Sequence, residues 1–416
     1  MTEHLVDAVR TDVSGLTDLV SRDLGGCVML ANDDLFADRR HLIDPNPPVW
    51  QPDTYGRDGK IYDGWETRRR RNHATPSTAP DETDHDFAII RIGAPGVIST
   101  LVIDTAFFRG NYPSYASVEA LASEGYPTVE ELQAMPWTTL LPRSPLKGDS
   151  ANTFDIADDR RWTHLRLTIY PDGGVARFRA LGVGLPDPRL LSGTFDLACL
   201  RNGGRVVAVS DMYFASAANL ILPGSAANIS HGWETARRRD DGHDWVLFAL
   251  SGAARLRVAE VDSSHFTGNA PGAARLVGID ARRVPLAEAL ADERADERAE
   301  ESAWIELMPR TRLLPDTVHR FRMHELWPDG TPPVTHVRLD IYPDGGLSRV
   351  RIWGEFEPEA ALEQARTWLA ALPADQARDV LAHVPGSDPG AMEGALLRYL
   401  TGIESTGIES TGIVGR

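Results

Sequence analysis

Cysteine is nearly missing from this chain of 416 residues: there are two, Cys27 and Cys199, at unmatched places in a sequence that otherwise repeats itself. Two such thiols make no disulfide framework, so a reducing cytoplasm is the expected compartment. Basic charge is short as well, with 43 Lys and Arg against 60 Asp and Glu, a formal charge of −17. A surface of that sign repels phosphate backbones and anionic lipid, which excludes nucleic acid and membrane as expected partners. No apolar run reaches spanning length. Met1 to Val20 is broken by Glu3, Asp7, Arg10, Asp12 and Asp18, so no signal-peptide core is read there. Also missing are His-x-His, Cys-x-x-Cys and His-Glu-x-x-His spacings, a phosphate-cradling glycine loop and a Gly-x-Ser-x-Gly element. No cofactor is expected. A divalent metal stays open because His85-Asp86 recurs as His243-Asp244, although adjacent strand residues face opposite ways and one pair cannot readily hold one ion.

What the sequence does have is a duplication. Asp63-Gly64-Trp65-Glu66-Thr67-Arg68-Arg69-Arg70-Arg71 returns 168 residues later as His231-Gly232-Trp233-Glu234-Thr235-Ala236-Arg237-Arg238-Arg239. Further matches flank it. Gly26–Asp33 answers Gly204–Asp211, short apolar runs that predict a strand opening each copy. His85–Ile90 answers His243–Phe248, another strand, and Val97–Asp104 leads into Asp104–Asn111, the partner of Asp262–Asn269. Asp44–Gly59 is rich in Pro and Gly and reads as a surface loop, and Ala74–Thr83 as a loop insertion of the first copy. Leu165, Leu167 and Ile169 alternate with polar residues up to Pro171-Asp172-Gly173-Gly174, which predicts a hairpin returning through Ala176, Phe178 and Ala180. The second copy repeats this from Thr335 to Gly354. Pairing Tyr170 with Val175 sets Arg166 beside Arg179, and likewise Arg338 beside Arg351.

Many short strands between Gly/Pro turns give an all-β class, one sandwich per copy. The expected divisions are 20–185 and 195–356 for the repeats, 357–400 for a helical extension in two segments split near Pro373, and 401–416 for a low-complexity tail. Leu286–Glu301 is read as an exposed helix.

The three shared motifs resemble those of the allantoicase (allantoate amidinohydrolase) family, a tandem of two homologous repeats. Asp63–Arg71, Asp104–Pro113 and Tyr170–Gly174 carry them in the first copy. The second departs at His231, Ala236 and Ser263-Ser264. The resemblance implies paired jelly-roll-like, galactose-binding-type β-sandwiches and hydrolysis of allantoate to ureidoglycolate and urea in purine degradation. The competing reading is a non-catalytic tandem module that binds a ureide or sugar.

That chemistry needs an anion contact, a proton-transfer group and amide-type contacts for ureido groups. For the anion, the pairs Arg166/Arg179 and Arg338/Arg351 are candidates, because like charges across a hairpin call for a negative partner between them. A protein carboxylate would serve as well as a substrate. Glu66 and Glu234 are the proton-transfer candidates, followed by His265, which stands where the first copy has Phe107. On an extended backbone Glu66 shares a side with Arg68 and Arg70, as does Glu234 with Arg238, while Trp65 and Trp233 turn to the core. Asp104, Asn111, Asp262 and Asn269 lie where a strand gives way to a Gly-Asn loop, a position that suits substrate contacts and turn formation alike. A homo-oligomer is expected for an acidic enzyme of this size.

Overall fold

The computed structural model describes residues 16–56, 59–71, 84–291, 303–384 and 392–402. Within them each copy folds as a jelly-roll-like β-sandwich. The first is built from β1 (Thr17–Asp18), β2 (Cys27–Ala31), β3 (Asp86–Asp104), β4 (Tyr115–Leu121), β5 (Thr138–Pro145), β6 (Ala151–Asp155), β7 (Arg161–Tyr170) and β8 (Arg177–Gly184). The second repeats it with β9 (Phe195–Asp196), β10 (Arg205–Val209), β11 (Asp244–Asp262), β12 (Ala273–Ile279), β13 (Ile305–Arg312), β14 (Val318–Arg322), β15 (Val334–Tyr342) and β16 (Arg349–Phe356).

The organising element is β3, which belongs to both layers. Its first half pairs with β2 and β7, and its second half with β6 and β8. The sequence suggested two strands here, His85–Ile90 and Val97–Asp104; they are one bent strand of 19 residues. The bend requires glycine: a Cβ on Gly96 would lie 2.1 Å from the carbonyl oxygen of Val183. Strand β11 plays the same part in the second copy. Alternation along these strands sends Ala88, Ile90, Leu101, Ile103, Leu165, Leu167, Phe178 and Ala180 into the core, with Trp65 and Trp233 fully buried as their motif predicts.

The expected hairpin does not form. β7 pairs with β3 and β4, whereas β8 pairs with β3 and β1, so the Pro171–Gly174 turn carries the chain from one layer to the other. Arg166 therefore faces Ile89 and Glu119 across the ladder, and Arg179 faces Val102. Arg338 and Arg351 are parted in the same way, opposite Leu247 and Glu260 respectively. The sequence repeat was sound, but strand adjacency was not: a turn between two alternating runs reads as a hairpin whether or not a third strand lies between them.

The Asp44–Gly59 loop includes a small ladder, Tyr55–Gly56 against Gly59–Lys60. Ala74–Thr83 and the 403–416 part of the tail lie outside the described residues, and of the Leu286–Glu301 segment the described part is helical over Leu286–Ala291. The C-terminal extension has three helices where the sequence suggested two: α1 (Pro358–Ala370), α2 (Ala374–Ala382) and α3 (Met392–Thr401). Leu362, Ala365 and Trp368 lie on one face of α1 and pack with Leu372, Val380, Leu397 and Leu400 around Leu185 of the first copy. Among the described residues no helix is long and apolar enough to cross a membrane.

Candidate functional site

All three repeated motifs meet at one end of each sandwich. In the first copy Trp65–Glu66 pairs with Gly174–Val175, and the Thr67 and Gly173 backbones join through Thr67 N–H donating to the Gly173 carbonyl (3.1 Å). The Gly174 N–H donates to the Asn111 carbonyl at 2.7 Å. Gly173 has φ +136°, and a Cβ there would lie 2.6 Å from that same carbonyl, so glycine is required for the approach. The outcome is a contact between motifs 45 residues apart: Asn111 Nδ2 donates to Glu66 Oε1 at 2.7 Å. The second copy reproduces it, with Asn269 Nδ2 donating to Glu234 Oε1 at 2.8 Å and the Gly346 N–H to the Asn269 carbonyl at 2.8 Å.

Glu66 is half-buried, and burial raises its pKa above the ordinary 4.5, offset in part by the Asn111 hydrogen bond and the charge of Arg69. A carboxylate so held is more basic than a free one while it still faces solvent. Arg69 was not among the sequence candidates because alternation places it opposite Glu66. The strand is only Trp65–Glu66, however, and although Thr67 still turns inward like Trp65, the regular alternation ends there.

The nominated arginines are held by protein carboxylates. Arg68 pairs with Asp33, and Arg70 with Asp86, while the Arg70 N–H donates to Asp172 (2.6 Å). Arg238 meets Asp244 at 2.7 Å and Asp240 at 3.0 Å. Arg166 donates to Glu119 at 2.7 Å and lies over the Trp137 ring, and Arg338 donates to Asp340 at 2.7 Å. Arg179 reaches Asp18 (3.2 Å) and the Asn46 carbonyl (3.3 Å). Arg351 reaches the Gly224 carbonyl and lies 3.6 Å from Asp196, with its Nη1 buried and unpartnered. The expected arginine pairs do not form, and each arginine has a carboxylate of its own nearby.

Asp104 and Asp262 cap the turns they open, accepting from the N–H of Ala106 and Ser264 (both 2.8 Å). Burial raises the Asp104 pKa, against the nearby Arg179 and Arg177 charges. His265 is exposed at φ +71°, and its Nε2 donates to the Ala226 carbonyl (3.1 Å). Asp86 Oδ1 is held by Arg70 and Asn32, while its Oδ2 is buried without a partner. Among the described residues there is no group of three or more His, Cys, Asp or Glu arranged to hold an ion.

Sequence reasoning missed the anchor of the preceding loop. Asp63 accepts from the Val49 N–H (2.7 Å) and Arg177 Nη2 (2.9 Å), and pairs with His41 Nδ1 (2.8 Å). Burial works against its ionised form, yet these partners hold its pKa well below the carboxylate range. Its replacement by His231 in the second copy was the available signal. There Arg349, the Arg177 counterpart, donates to the carbonyls of His231 (2.6 Å) and Gly224 (3.0 Å), as Arg177 does to those of Asp63 (3.2 Å) and Asn46 (2.8 Å), and the carboxylate contact is what the second copy lacks.

Comparison with known proteins agrees with this twofold construction. The family model described as "Allantoicase repeat" matches residues 17–185 and again 195–357. The chain is 47% identical over 342 residues to a Nocardia farcinica protein named probable allantoicase, covering 82% of this chain and 94% of that one. A Streptomyces coelicolor protein of the same name is 44% identical over 352 residues, covering 84% and 88%. Among solved structures, allantoicase from Saccharomyces cerevisiae matches with a TM-score of 0.65 at 30% identity, over 85% of this chain and 97% of that one. With both copies matched and the whole-length relatives aligned across them, the chain belongs to the allantoicase family.

Proposed function

We propose that the protein hydrolyses allantoate and water to ureidoglycolate and urea, with Glu66 and Asn111 at the centre of the working site. Membership of the family carries the reaction; the Glu66–Asn111 contact joining two of the repeated motifs supports the assignment of residues. Allantoate has a central carbon that bears a carboxylate, a hydrogen and two ureido groups. Water adds its oxygen to that carbon, the bond to one ureido nitrogen breaks, and the departing nitrogen gains a proton. Glu66 takes a proton from water and returns it to the leaving urea, a shuttle that its burial-raised basicity favours. Asn111 orients the carboxylate through Nδ2, and its Oδ1 and second N–H match the donors and acceptors of a ureido group. The Asn111 hydrogen bond and the positive charge of Arg69 favour the ionised form of Glu66 against the burial that disfavours it, as a base requires.

Incubation of purified protein with allantoate should release one urea for each ureidoglycolate formed. Glu66→Gln should lower kcat at least a hundredfold with an unchanged melting temperature, in line with about 10²–10⁴-fold for a positioned proton-transfer group. In the wild type the acid limb of the pH–rate profile should lie above the ordinary glutamate pKa, since protonation there removes the base. Binding of allantoate without urea release would instead support a non-catalytic module, and an active Glu66→Gln enzyme would remove Glu66 from the mechanism.

A further inference from the structure

Resting on that reading, we propose that Lys60, presented on the ring of Trp50, is the contact for the substrate carboxylate, and that each chain therefore has a single working centre, in its first repeat. The arginines nominated for this task are already paired with Asp or Glu, so the anion needs another cation at the same end of the sandwich. Lys60 makes no ion pair with any described residue. Its Nζ lies 3.7 Å from the centre of the Trp50 ring and 5.8 Å from that of Tyr62. An aromatic face holds an ammonium group without neutralising it, leaving its charge for an incoming anion.

An aromatic row carries this group to the Glu66 end. Trp50 lies 5.4 Å from Phe107, Tyr62 stacks on Phe108 at 4.9 Å, and Phe108 packs against Gly174, the ladder partner of Glu66. The loop from Phe107 runs on to Asn111, which holds Glu66. The segment bearing Trp50 is pinned by Asp63 through the Val49 N–H. The second copy keeps the inner contacts, Phe266 against Gly346 and Asn269 on Glu234, but has no counterpart of Lys60 or of the ring beneath it. The segment Asp211–Gly232 is shorter than Asp33–Gly64 and contains no lysine, His231 replaces Asp63, and exposed His265 replaces Phe107.

The chain has two lysines, Lys60 and Lys147, which makes the idea directly measurable. Acetylation of the full-length protein, followed by mass spectrometry, should show Lys60 shielded by ureidoglycolate and Lys147 unaffected. Lys60→Met should raise KM for allantoate at least tenfold with kcat within threefold of wild type, Lys60→Arg should recover most of the affinity, and Trp50→Ala should resemble Lys60→Met. Titration with ureidoglycolate should give one site per chain. An unchanged KM in Lys60→Met, equal labelling with and without product, or two sites per chain would overturn this inference while leaving the hydrolysis intact. Failure of the wild type to release urea would instead overturn the functional reading beneath it.

Discussion

His164 is 3% exposed on β7, with its Nδ1 2.8 Å from the Thr163 hydroxyl, and burial aided by the Arg91 charge lowers its pKa from 6.5 to about 4. The unfolded chain therefore takes up this proton at a higher pH than the folded one. The stability due to the neutral ring is fully present above about 6.5 and is lost as pH falls through about 4. A shift of that size corresponds to about 3 kcal/mol. Half-buried His336, in the second copy, moves in the same direction. His164→Gln should flatten the fall in melting temperature between pH 6.5 and 4 by roughly half; an unaltered pH dependence would show that His164 titrates freely. At this scale much of the candidate site was legible. Glu66 and Asn111 stand inside contiguous motifs, and the second copy repeats both. Arg69 was not legible, because the strand that would fix its side ends three residues earlier.

Strand neighbours were harder to read than strands. The Pro171–Gly174 turn joins two runs of correct alternation, yet β3 lies between them, and nothing local in the sequence announces an intervening strand that starts 85 residues upstream. The arginine partners were hidden for the same reason: Glu119 is 47 residues from Arg166, and Asp18 is 161 from Arg179. The corrected topology changes what Arg166 does. A partly exposed ion pair and a cation–π contact with Trp137 together contribute on the order of 1 kcal/mol. Arg166→Ala should accordingly lower the melting temperature by about 2–4 °C and leave kcat and KM near wild type. A tenfold loss of kcat in a fully folded variant would return Arg166 to the active centre.

On the scale of the whole molecule, the C-terminal helices add a second tie between the copies, which already share one apolar core and the Arg201 donation to the Leu24 carbonyl (3.0 Å). The Gln364 side chain donates to the Ser251 carbonyl of the second copy. The Arg161 N–H of the first copy donates to the Ala371 carbonyl (2.7 Å), and Gln376 Nε2 to Glu124 (2.6 Å). Residues beyond 357 fall outside the repeat match. Trp368, fully buried in this tie, is its largest apolar contributor. Trp368→Ala should cost about 3 kcal/mol or more and lower the first calorimetric transition by on the order of 5–10 °C, with allantoate turnover retained at 25 °C. An unmoved transition would mean that the helices ride on the sandwiches without bracing them.

The bent strand β3 has a consequence of its own. Each sandwich hangs its front and back walls on one continuous rod, so neither wall can peel away while the other stands. New termini opened within Asp86–Asp104 would sever both walls at once, whereas a break at the exposed Tyr55 tip would leave each of them attached to its shared support.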